Sequence, residues 1–447
     1  MSTILGLSGV EKIAPYIDEV LAGDASLGWL HGACDSNCIQ GGGGYGRSTR
    51  LNIAAVLGIP ILATHTATGG IMTTANVSYM DDSTTSDFVT DQLRTAANGG
   101  DDDQSNEADY TGLDPVLQPY MPTTAAMRVV DKFVPGVPVA GESVGTPRYQ
   151  LTHEATTVGY NFNEVYNIYI AHLEDAALGS HTWQVRLLTG STQIKTGTID
   201  HSPASPTGAT VVQLLDTTAV DSFTAGTILQ LLPFHNNQTL TGINMVLSMF
   251  LTWPNRGHGY AVFPIIVQGG TSLTQKAAAI SDANQKWLLW KFIAAAKAME
   301  GRRSHFFYEI QDVLNDNTTE AAFLTALTTV TNAALAAWDA GVASGAIPSN
   351  CSFTVLFSGC LHRINNEDIT YGYNAARTLE ASNSRFVVAD FQSMMTSAAS
   401  DVICTDGSHL GDGTGTSDAN YLMHHKRWFA RFLTACRLSR GLRRIAA

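Results

Sequence analysis

Charged residues are scarce in this chain. They make up 15% of its 447 residues, against about 25% in an average soluble domain. The chain has 26 lysines and arginines and 39 aspartates and glutamates, which gives a net charge of −13. This balance argues against a nucleic-acid partner, which needs a basic surface. Serine, threonine, asparagine and glycine therefore supply the polar surface, as in many secreted proteins, virion proteins and subunits of assemblies.

Three further signals are absent, and each absence excludes a class of protein. No apolar stretch in the sequence reaches the ~18 residues that a membrane span requires, so no transmembrane segment is expected. Met1–Ala14 lacks the basic start and apolar core of a secretory signal. We therefore expect a soluble protein that does not use Sec export, and its location is left open between a virion, the cell exterior and other sites. The glycine-rich run Gly41–Gly46 is not followed by Gly-Lys-Ser/Thr, which excludes a P-loop.

The six cysteines include no C-x-x-C pair, so a zinc ribbon is not expected. Cys34, Cys38 and Cys404 lie close in sequence to the candidate catalytic residues, and we interpret them as small buried residues. Two alternatives stay open: a disulfide between Cys404 and one of the other two, and a thiol nucleophile at Cys34 or Cys38. The pair His424-His425 lies on a predicted helix, where consecutive residues face different directions. No metal and no organic cofactor is expected.

Two short segments near opposite ends of the chain contain the residue types of a serine hydrolase. Ser36 follows the apolar run Leu27–Leu30, a predicted strand, so its hydroxyl is expected on a strand-to-loop turn. Asp406 and His409 stand three residues apart, just before an apolar and basic helical segment. A serine is a weak nucleophile until a base takes its proton, and a carboxylate fixes the tautomer of that base. We predict Ser36 as nucleophile, His409 as general base and Asp406 as the group that orients His409.

This pair of segments resembles the SGNH (GDSL-like) esterase family, whose nucleophile follows the first strand. That family's Asp and His share one loop before the last helix. Residues 59–65 read as the second strand, and Gly69 follows them where the family has an oxyanion-hole glycine. Residues 304–310 read as a strand that leads to Asn315, where the family has its Gly-x-Asn-Asp block. The resemblance implies an oxyanion hole made by the Ser36 amide, the Gly69 amide and the Asn315 side chain.

The resemblance covers roughly residues 25–75 and 275–440 and implies a three-layer, flavodoxin-like α/β fold with a parallel sheet. Two positions depart from the family pattern: Cys34 and Val313 stand where the family has glycines. Four later elements keep the family's order: a helix at 318–343, a strand at 352–357, a helix around 373–376 and a strand at 385–390.

The pattern changes in the middle of the chain. Residues 80–117 are acidic and rich in turn residues, and we interpret them as a solvated loop because they lack the spacing of a calcium-binding loop. From about 158 to 269, short β-rich runs predict an antiparallel β-sandwich inserted into the hydrolase core. Insertions of this kind lie on the active-site side of open α/β sheets. The predicted division is an N-terminal part of the core (1–78), an acidic connecting segment (79–154), the inserted sandwich (155–270) and a C-terminal part of the core with a basic terminal helix (271–447).

The resemblance implies a serine esterase that hydrolyses small acyl esters, with an O-acetyl group on a carbohydrate as the expected substrate. An acetylated polysaccharide is the expected partner. The alternative is a structural or binding protein of a virion or surface assembly that keeps this fold, with or without deacetylase activity. A homo-oligomer or larger assembly is expected, and the basic terminal helix is predicted to dock on the acidic body or on a neighbouring subunit.

Overall fold

The structure is a computed structural model. It describes residues 7–33, 53–66, 88–92, 100–101, 132–135, 149–153, 167–172, 182–189, 192–200, 211–215, 227–234, 245–252, 256–265, 272–280, 286–299, 301–312, 319–360, 370–389, 430 and 432–437.

Strands dominate the described elements. The strands are β1 (Leu7–Ser8), β2 (Ser26–Ala33), β3 (Ile61–Thr66), β4 (Phe88–Gln92), β5 (Gly100–Asp101), β6 (Lys132–Pro135), β7 (Tyr149–His153), β8 (Asn167–His172), β9 (Thr182–Thr189), β10 (Thr192–Asp200), β11 (Val211–Leu215), β12 (Thr227–Phe234), β13 (Met245–Thr252), β14 (Tyr260–Pro264), β15 (Ser304–Asp312), β16 (Ser352–Cys360) and β17 (Phe386–Ala389). The α-helices are α1 (Ala14–Ala22), α2 (Leu273–Ile280), α3 (Lys286–Ala298), α4 (Glu320–Ala343) and α5 (Thr370–Ser382). A 3₁₀ turn (Val10–Lys12) and a π-helical turn (Ile53–Leu57) complete the set, together with a helical segment at 432–437.

A parallel β-sheet forms the centre of the fold. Parallel pairings join β3 to β14, β14 to β2, β2 to β15, β15 to β16 and β16 to β17. Parallel neighbours need crossover connections, and helices α4 and α5 lie in those that follow β15 and β16. The protein is therefore of the α/β class, as the sequence predicted. The strands predicted at 27–30, 59–65, 304–310 and 352–357 are confirmed within a few residues.

Both faces of this sheet are covered, and β2 shows it most clearly because all eight of its residues are buried. Alternate residues of a strand face opposite sides. On one side, Leu30 belongs to a core cluster with apolar residues of α2, α3, α4 and α5. On the other side, the Trp29 ring meets the Phe432 ring edge-on, with 6.5 Å between their centroids. Parallel strands buried in this way require apolar residues at nearly every position.

Helix α4 is the longest described helix and the most apolar by composition. Thr319 caps its start, accepting a hydrogen bond from the Ala322 amide at 3.2 Å. Among the described helices, α4 alone is long and apolar enough to cross a membrane, with a mean hydropathy of 1.3, and half of that window is buried inside the protein. Its buried residues, which include Phe323 and Trp338, belong to the core cluster that packs on the sheet.

Antiparallel strands extend the sheet beyond β3 and form a second sheet. β13 pairs with β3, β8 and β6 pair with β13, β11 pairs with β8, and β5 pairs with β6. A separate five-stranded antiparallel sheet has the order β10-β9-β12-β7-β4. At the opposite edge of the main sheet, β1 pairs antiparallel with β17.

These pairings differ in two ways from the division expected from the sequence. β14 lies inside the segment assigned to the inserted sandwich (155–270), yet it pairs in parallel with β2 and β3 and so belongs to the core sheet. The acidic segment 79–154, interpreted over 80–117 as a solvated loop, contributes β4, β5, β6 and β7 to the two sheets. Both differences have one cause, because strands of two to five residues carry too little pattern to reveal their partners.

The N-terminal and C-terminal parts of the described chain are joined through Lys12. Its Nζ donates to the backbone carbonyls of Glu380, Asn383 and Phe386 at 3.2, 3.3 and 3.1 Å. These carbonyls lie at the end of α5 and the start of β17, where a cation also complements the helix dipole. One ammonium group thus ties the 3₁₀ turn before α1 to the last parallel strand.

Candidate functional site

All five residues predicted for the catalytic site lie outside the described residues. They are Ser36, Gly69, Asn315, Asp406 and His409. Three of them follow the last residue of a core strand by three positions: Ser36 follows β2, Gly69 follows β3 and Asn315 follows β15. Since β2, β3 and β15 run parallel in one sheet, their carboxyl ends reach the same edge. The structure therefore brings together the strand ends that lead to three predicted residues, and it describes no side chain of the predicted triad.

The order of the strands makes this edge the expected place for a site. After β2 the chain forms β3 and then β14 on one side, with β14 between β2 and β3, and it then crosses to β15, β16 and β17 on the other side. Open α/β sheets bind ligands outside the carboxyl ends of their strands, at the point where the strand order reverses. In this sheet the reversal occurs around β2, the strand that Ser36 follows.

A buried polar cluster lies just below this edge, on the face covered by Phe432. Glu309 Oε2 accepts a hydrogen bond from Trp29 Nε1 at 2.7 Å and lies 3.0 Å from His31 Nδ1. His31 and Glu309 are paired in register on adjacent strands, and both side chains are 0% exposed. The cluster fixes β2 to β15 near their carboxyl ends. Its complete burial indicates that His31 has a structural role.

Two glycines of β2 allow aromatic side chains of β15 to lie across it. A Cβ atom at Gly28 would overlap the Phe306 ring, and one at Gly32 would overlap the Tyr308 ring. The Tyr308 hydroxyl then donates to the Gly32 carbonyl at 2.7 Å. The glycines are thus required by close packing, and the tyrosine fixes the backbone of β2 one residue before its end.

A second group of polar side chains lies at the opposite, amino edge of the sheet. His305, near the start of β15, has its Nδ1 2.6 Å from Ser352 Oγ and its Nε2 2.6 Å from Glu19 Oε2. The Tyr16 ring lies against the imidazole, with 4.5 Å between centroids, and Arg303 pairs with Glu19 at 2.8 Å. No sequence motif indicates this serine–histidine–carboxylate relay, because its members come from α1, β15 and β16.

The relay fastens α1 to the sheet. The His305 side chain is 2% exposed, so the imidazole is enclosed by its partners and has no room to receive a substrate. Burial lowers the pKa of His305, and the carboxylate of Glu19 opposes that effect only in part. In the neutral ring, Nε2–H donates to Glu19, and the Ser352 hydroxyl donates to Nδ1.

The lowered pKa predicts a dependence of stability on pH. The unfolded chain takes up a proton at His305 near the ordinary value of 6.5, and the folded protein takes it up only at lower pH. The contribution of His305 to stability is therefore complete above pH 6.5 and is lost as the pH falls below it. In urea unfolding at pH 7.5 and 5.5, the wild type should lose more free energy of unfolding than His305→Gln does. His258→Gln controls for the loss of a histidine, and equal losses in wild type and His305→Gln would contradict the assignment.

Within the described ranges, no group of three or more His, Cys, Asp or Glu residues could hold a metal ion. Two cysteines in these ranges, Cys351 and Cys436, are free thiols. Burial raises the pKa of both thiols, and the nearby Asp18 carboxylate raises that of Cys436 further. A raised pKa leaves little thiolate at neutral pH, so these two cysteines are poor nucleophiles. Cys34, Cys38 and Cys404, for which a disulfide or a nucleophilic role was considered, lie outside the described ranges.

Comparison with known proteins gives no family for this chain. No protein-family model matches it, and no curated protein matches it. It is similar in part to the K1 cleaved adhesin domain of Lys-gingipain from Porphyromonas gingivalis W83, with 14% identity over 38% of this chain and 99% of that one and a TM-score of 0.20.

Two further solved structures are similar in part. Arabinose-bound MgGH51 α-L-arabinofuranosidase shares 14% identity over 61% of this chain and 49% of its own, with a TM-score of 0.30. The Agl-KA catalytic domain shares 10% identity over 62% of this chain and 40% of its own, with a TM-score of 0.18. TM-scores this low do not define a common fold, so these likenesses carry no argument about function.

Proposed function

We propose that this protein is a serine esterase of SGNH type that removes small acyl groups, in particular O-acetyl groups, from a carbohydrate. Ser36 attacks the ester carbonyl, His409 takes the serine proton and returns it to the leaving alcohol, and Asp406 orients His409. The amides of Ser36 and Gly69 and the side chain of Asn315 hold the oxyanion. Each such donor contributes about 10²–10³ in rate.

One observation carries the proposal. The strands that precede Ser36, Gly69 and Asn315 end at one edge of one parallel sheet, and each ends three residues before its predicted residue. A nucleophile and two oxyanion donors must surround a single carbonyl carbon. The strands that lead to the predicted nucleophile and to the two predicted oxyanion donors end at a common edge, beside the reversal of strand order, and this arrangement supports the mechanism.

The buried cluster below the edge supports the same proposal. A catalytic group must be held close to its productive position, because small displacements are costly in rate. The contacts of Glu309 with Trp29 and His31, and of Tyr308 with Gly32, fix the last part of β2 on both faces of the sheet. In this proposal they hold the start of the Ser36 turn in place.

The antiparallel strands are the reason for proposing a polymer as the substrate. β13 pairs with β3 so that Met249 is opposite Thr66, the last residue of β3, and β13 begins four residues earlier, at Met245. Because the strands are antiparallel, these four residues extend ~13 Å past the carboxyl end of β3. β6 pairs with Met245 and Val246 in this extension. We propose that the inserted strands form one wall of the cleft and bind the polysaccharide, as a sandwich module of an SGNH hydrolase.

The test is turnover by the purified wild-type protein of p-nitrophenyl acetate and of an O-acetylated polysaccharide, with acetate release measured for the polymer. We expect turnover of both, with a higher kcat/KM per acetyl group on the polymer because the inserted strands contribute binding energy. Asn315→Ala should lower kcat about 10²-fold or more and leave KM little changed, since its hydrogen bond is made in the transition state. A wild-type protein that hydrolyses neither ester would reject the proposal and favour the alternative role in a virion or surface assembly.

A further inference from the structure

Strand β11 (Val211–Leu215) lies at an edge of the main sheet. Every one of its residues pairs with β8, from Val211 opposite His172 to Leu215 opposite Ile168, without a shift of register. Within the described ranges β11 pairs with β8 alone, so its other side meets no described strand. An edge strand presents a row of unpaired N–H and C=O groups, which is a template for pairing with a further strand.

The other described edge strands each carry a feature that hinders such pairing. β1 and β5 are only two residues long, which leaves a further strand almost nothing to pair with. β4 contains Asp91. β10 contains Lys195, and its register against β9 shifts between Gln193 and Lys195, as at a β-bulge. Short strands, edge charges and bulges are the means by which natural sheets avoid edge-to-edge association.

β11 has none of these features. Its sequence, Val-Val-Gln-Leu-Leu, contains no charge, no glycine and no proline, and its ladder with β8 is regular. Uncharged, apolar strands of this kind associate readily when their edge is left open. Since the other described edges are protected, we expect the edge of β11 to be covered by a partner.

A second copy of the same strand has the chemistry that fits this edge. Two copies can pair antiparallel about a two-fold axis, which is the symmetry of most dimers. With the axis at the central residue, Gln213 lies opposite Gln213 of the second copy. Val212 then lies opposite its Leu214, and Val211 opposite its Leu215. Aliphatic residues face aliphatic residues in this register, and no like charges meet, which would destabilise the pair.

We propose that the open edge of β11 is an interface between two copies of this protein, which pair antiparallel through residues 211–215 about a two-fold axis at Gln213. The main sheet then continues from β8 and β11 of one copy into β11 and β8 of the other. One pair of short strands is small beside the ~800 Å² per partner of a standard interface, so the dimer should dissociate on dilution. The interface is independent of the esterase function proposed above.

The interface is tested by sedimentation velocity of the full chain over a wide range of concentration. The wild type should change from monomer to dimer as its concentration rises. Gln213→Lys should weaken the dimer about tenfold or more, because two ammonium groups then meet at the axis. Thr198→Lys is the matched control, since it adds the same charge to β10, an edge strand of the other sheet, where Gln184 is its partner. It should dimerise as the wild type does.

A charge swap at the axis separates the proposed pairing from a general loss of structure. Gln213→Glu alone should weaken the dimer as Gln213→Lys does, because two carboxylates then meet. An equimolar mixture of the two variants should dimerise again, since opposite charges meet at the axis of the mixed dimer. If each variant is weakened and their mixture stays monomeric, the copies do not pair at Gln213 and the proposal is wrong.

Two further results would overturn the interface. One is a wild type that stays monomeric at every concentration, as expected if a different partner or another segment of this chain covers the edge. This result decides the matter even if the variants fail to fold. The other is equal association of the wild type, Gln213→Lys and Thr198→Lys, because the copies would then meet at another surface.

Hydrogen exchange of the wild type locates the interface without any substitution. In the dimer, amides on the open side of β11 become hydrogen-bonded, so exchange in a peptide that covers 211–215 should slow about tenfold or more as the dimer forms. A peptide that covers 192–200, in β10, should exchange at the same rate in monomer and dimer. A dimer in which exchange over 211–215 is unchanged would contradict the proposal.

Discussion

Replacing Ser36 by alanine is expected to lower turnover of p-nitrophenyl acetate by roughly 10⁴-fold or more, the scale on which nucleophile removal acts in serine hydrolases. The fold should be unaffected, because the change removes one hydroxyl group from a residue that follows the last residue of β2 by three positions. Steady-state kinetics beside circular dichroism of the same sample checks both parts of the prediction.

The matched control for Ser36→Ala is Ser352→Ala. Ser352 hydrogen-bonds a histidine that in turn contacts a carboxylate, so it has the partners of a nucleophile, but it lies at the amino edge of the sheet. Ser352→Ala should keep full activity, with a loss of stability of about 1 kcal/mol from the missing hydrogen bond. Loss of turnover in Ser352→Ala with normal turnover in Ser36→Ala would move the chemistry to the amino edge and contradict the assignment.

The largest effect on stability is expected at Glu309. Glu309→Leu removes the acceptor of the Trp29 Nε1–H bond and the partner of His31, in a cluster that is completely buried. Removing the acceptor of a buried hydrogen-bonding group costs about 1–3 kcal/mol for each group affected, here the Trp29 indole and the His31 ring, a large part of the 5–15 kcal/mol that stabilises a typical domain. Urea unfolding of the two proteins at pH 7.5 measures the difference.

Glu309→Gln is the control, because glutamine keeps the volume of the side chain and an oxygen that can accept the Trp29 bond. It should cost less than Glu309→Leu does, because the acceptor of the Trp29 bond is kept. If Glu309→Leu is as stable as the wild type, the cluster does not hold β2 to β15.

The core of the fold could be predicted from the sequence because its elements are long or fully buried. The strands around Trp29, Phe306 and Val355 each contain a run of buried apolar residues, as strands covered on both faces do, together with a few buried polar residues. The helix predicted at 318–343 is α4 (Glu320–Ala343), preceded by a threonine that caps it. The sequence pattern over 277–299 predicts one helix, whereas the structure has two in this region, α2 and α3.

The partners of the short strands could not be predicted. The five residues of β14, Tyr260–Pro264, fit an antiparallel strand as well as a parallel one, and only the pairing with β2 decides between them. β4 and β5 are short and lie among aspartates, whose turn preference dominated the interpretation. Sheet membership depends on contacts between distant segments, which local periodicity does not record.

The residues of the candidate site also differ in whether a local motif predicts them. The triad Ser36, Asp406 and His409 came from local motifs and stays a prediction, because these residues lie outside the described ranges. The buried pair of His31 and Glu309 joins positions 278 residues apart, which no motif connects.

The central claim is that Ser36 is an activated nucleophile, and reaction with a fluorophosphonate tests it most directly. The reagent phosphonylates a serine only where a base removes the hydroxyl proton and an oxyanion site receives the phosphoryl oxygen. After incubation and digestion, mass spectrometry should find one modified peptide, with the label on Ser36, and no label in His409→Ala. An unmodified Ser36 in a folded wild-type protein, or a label at Ser352 instead, would contradict the account.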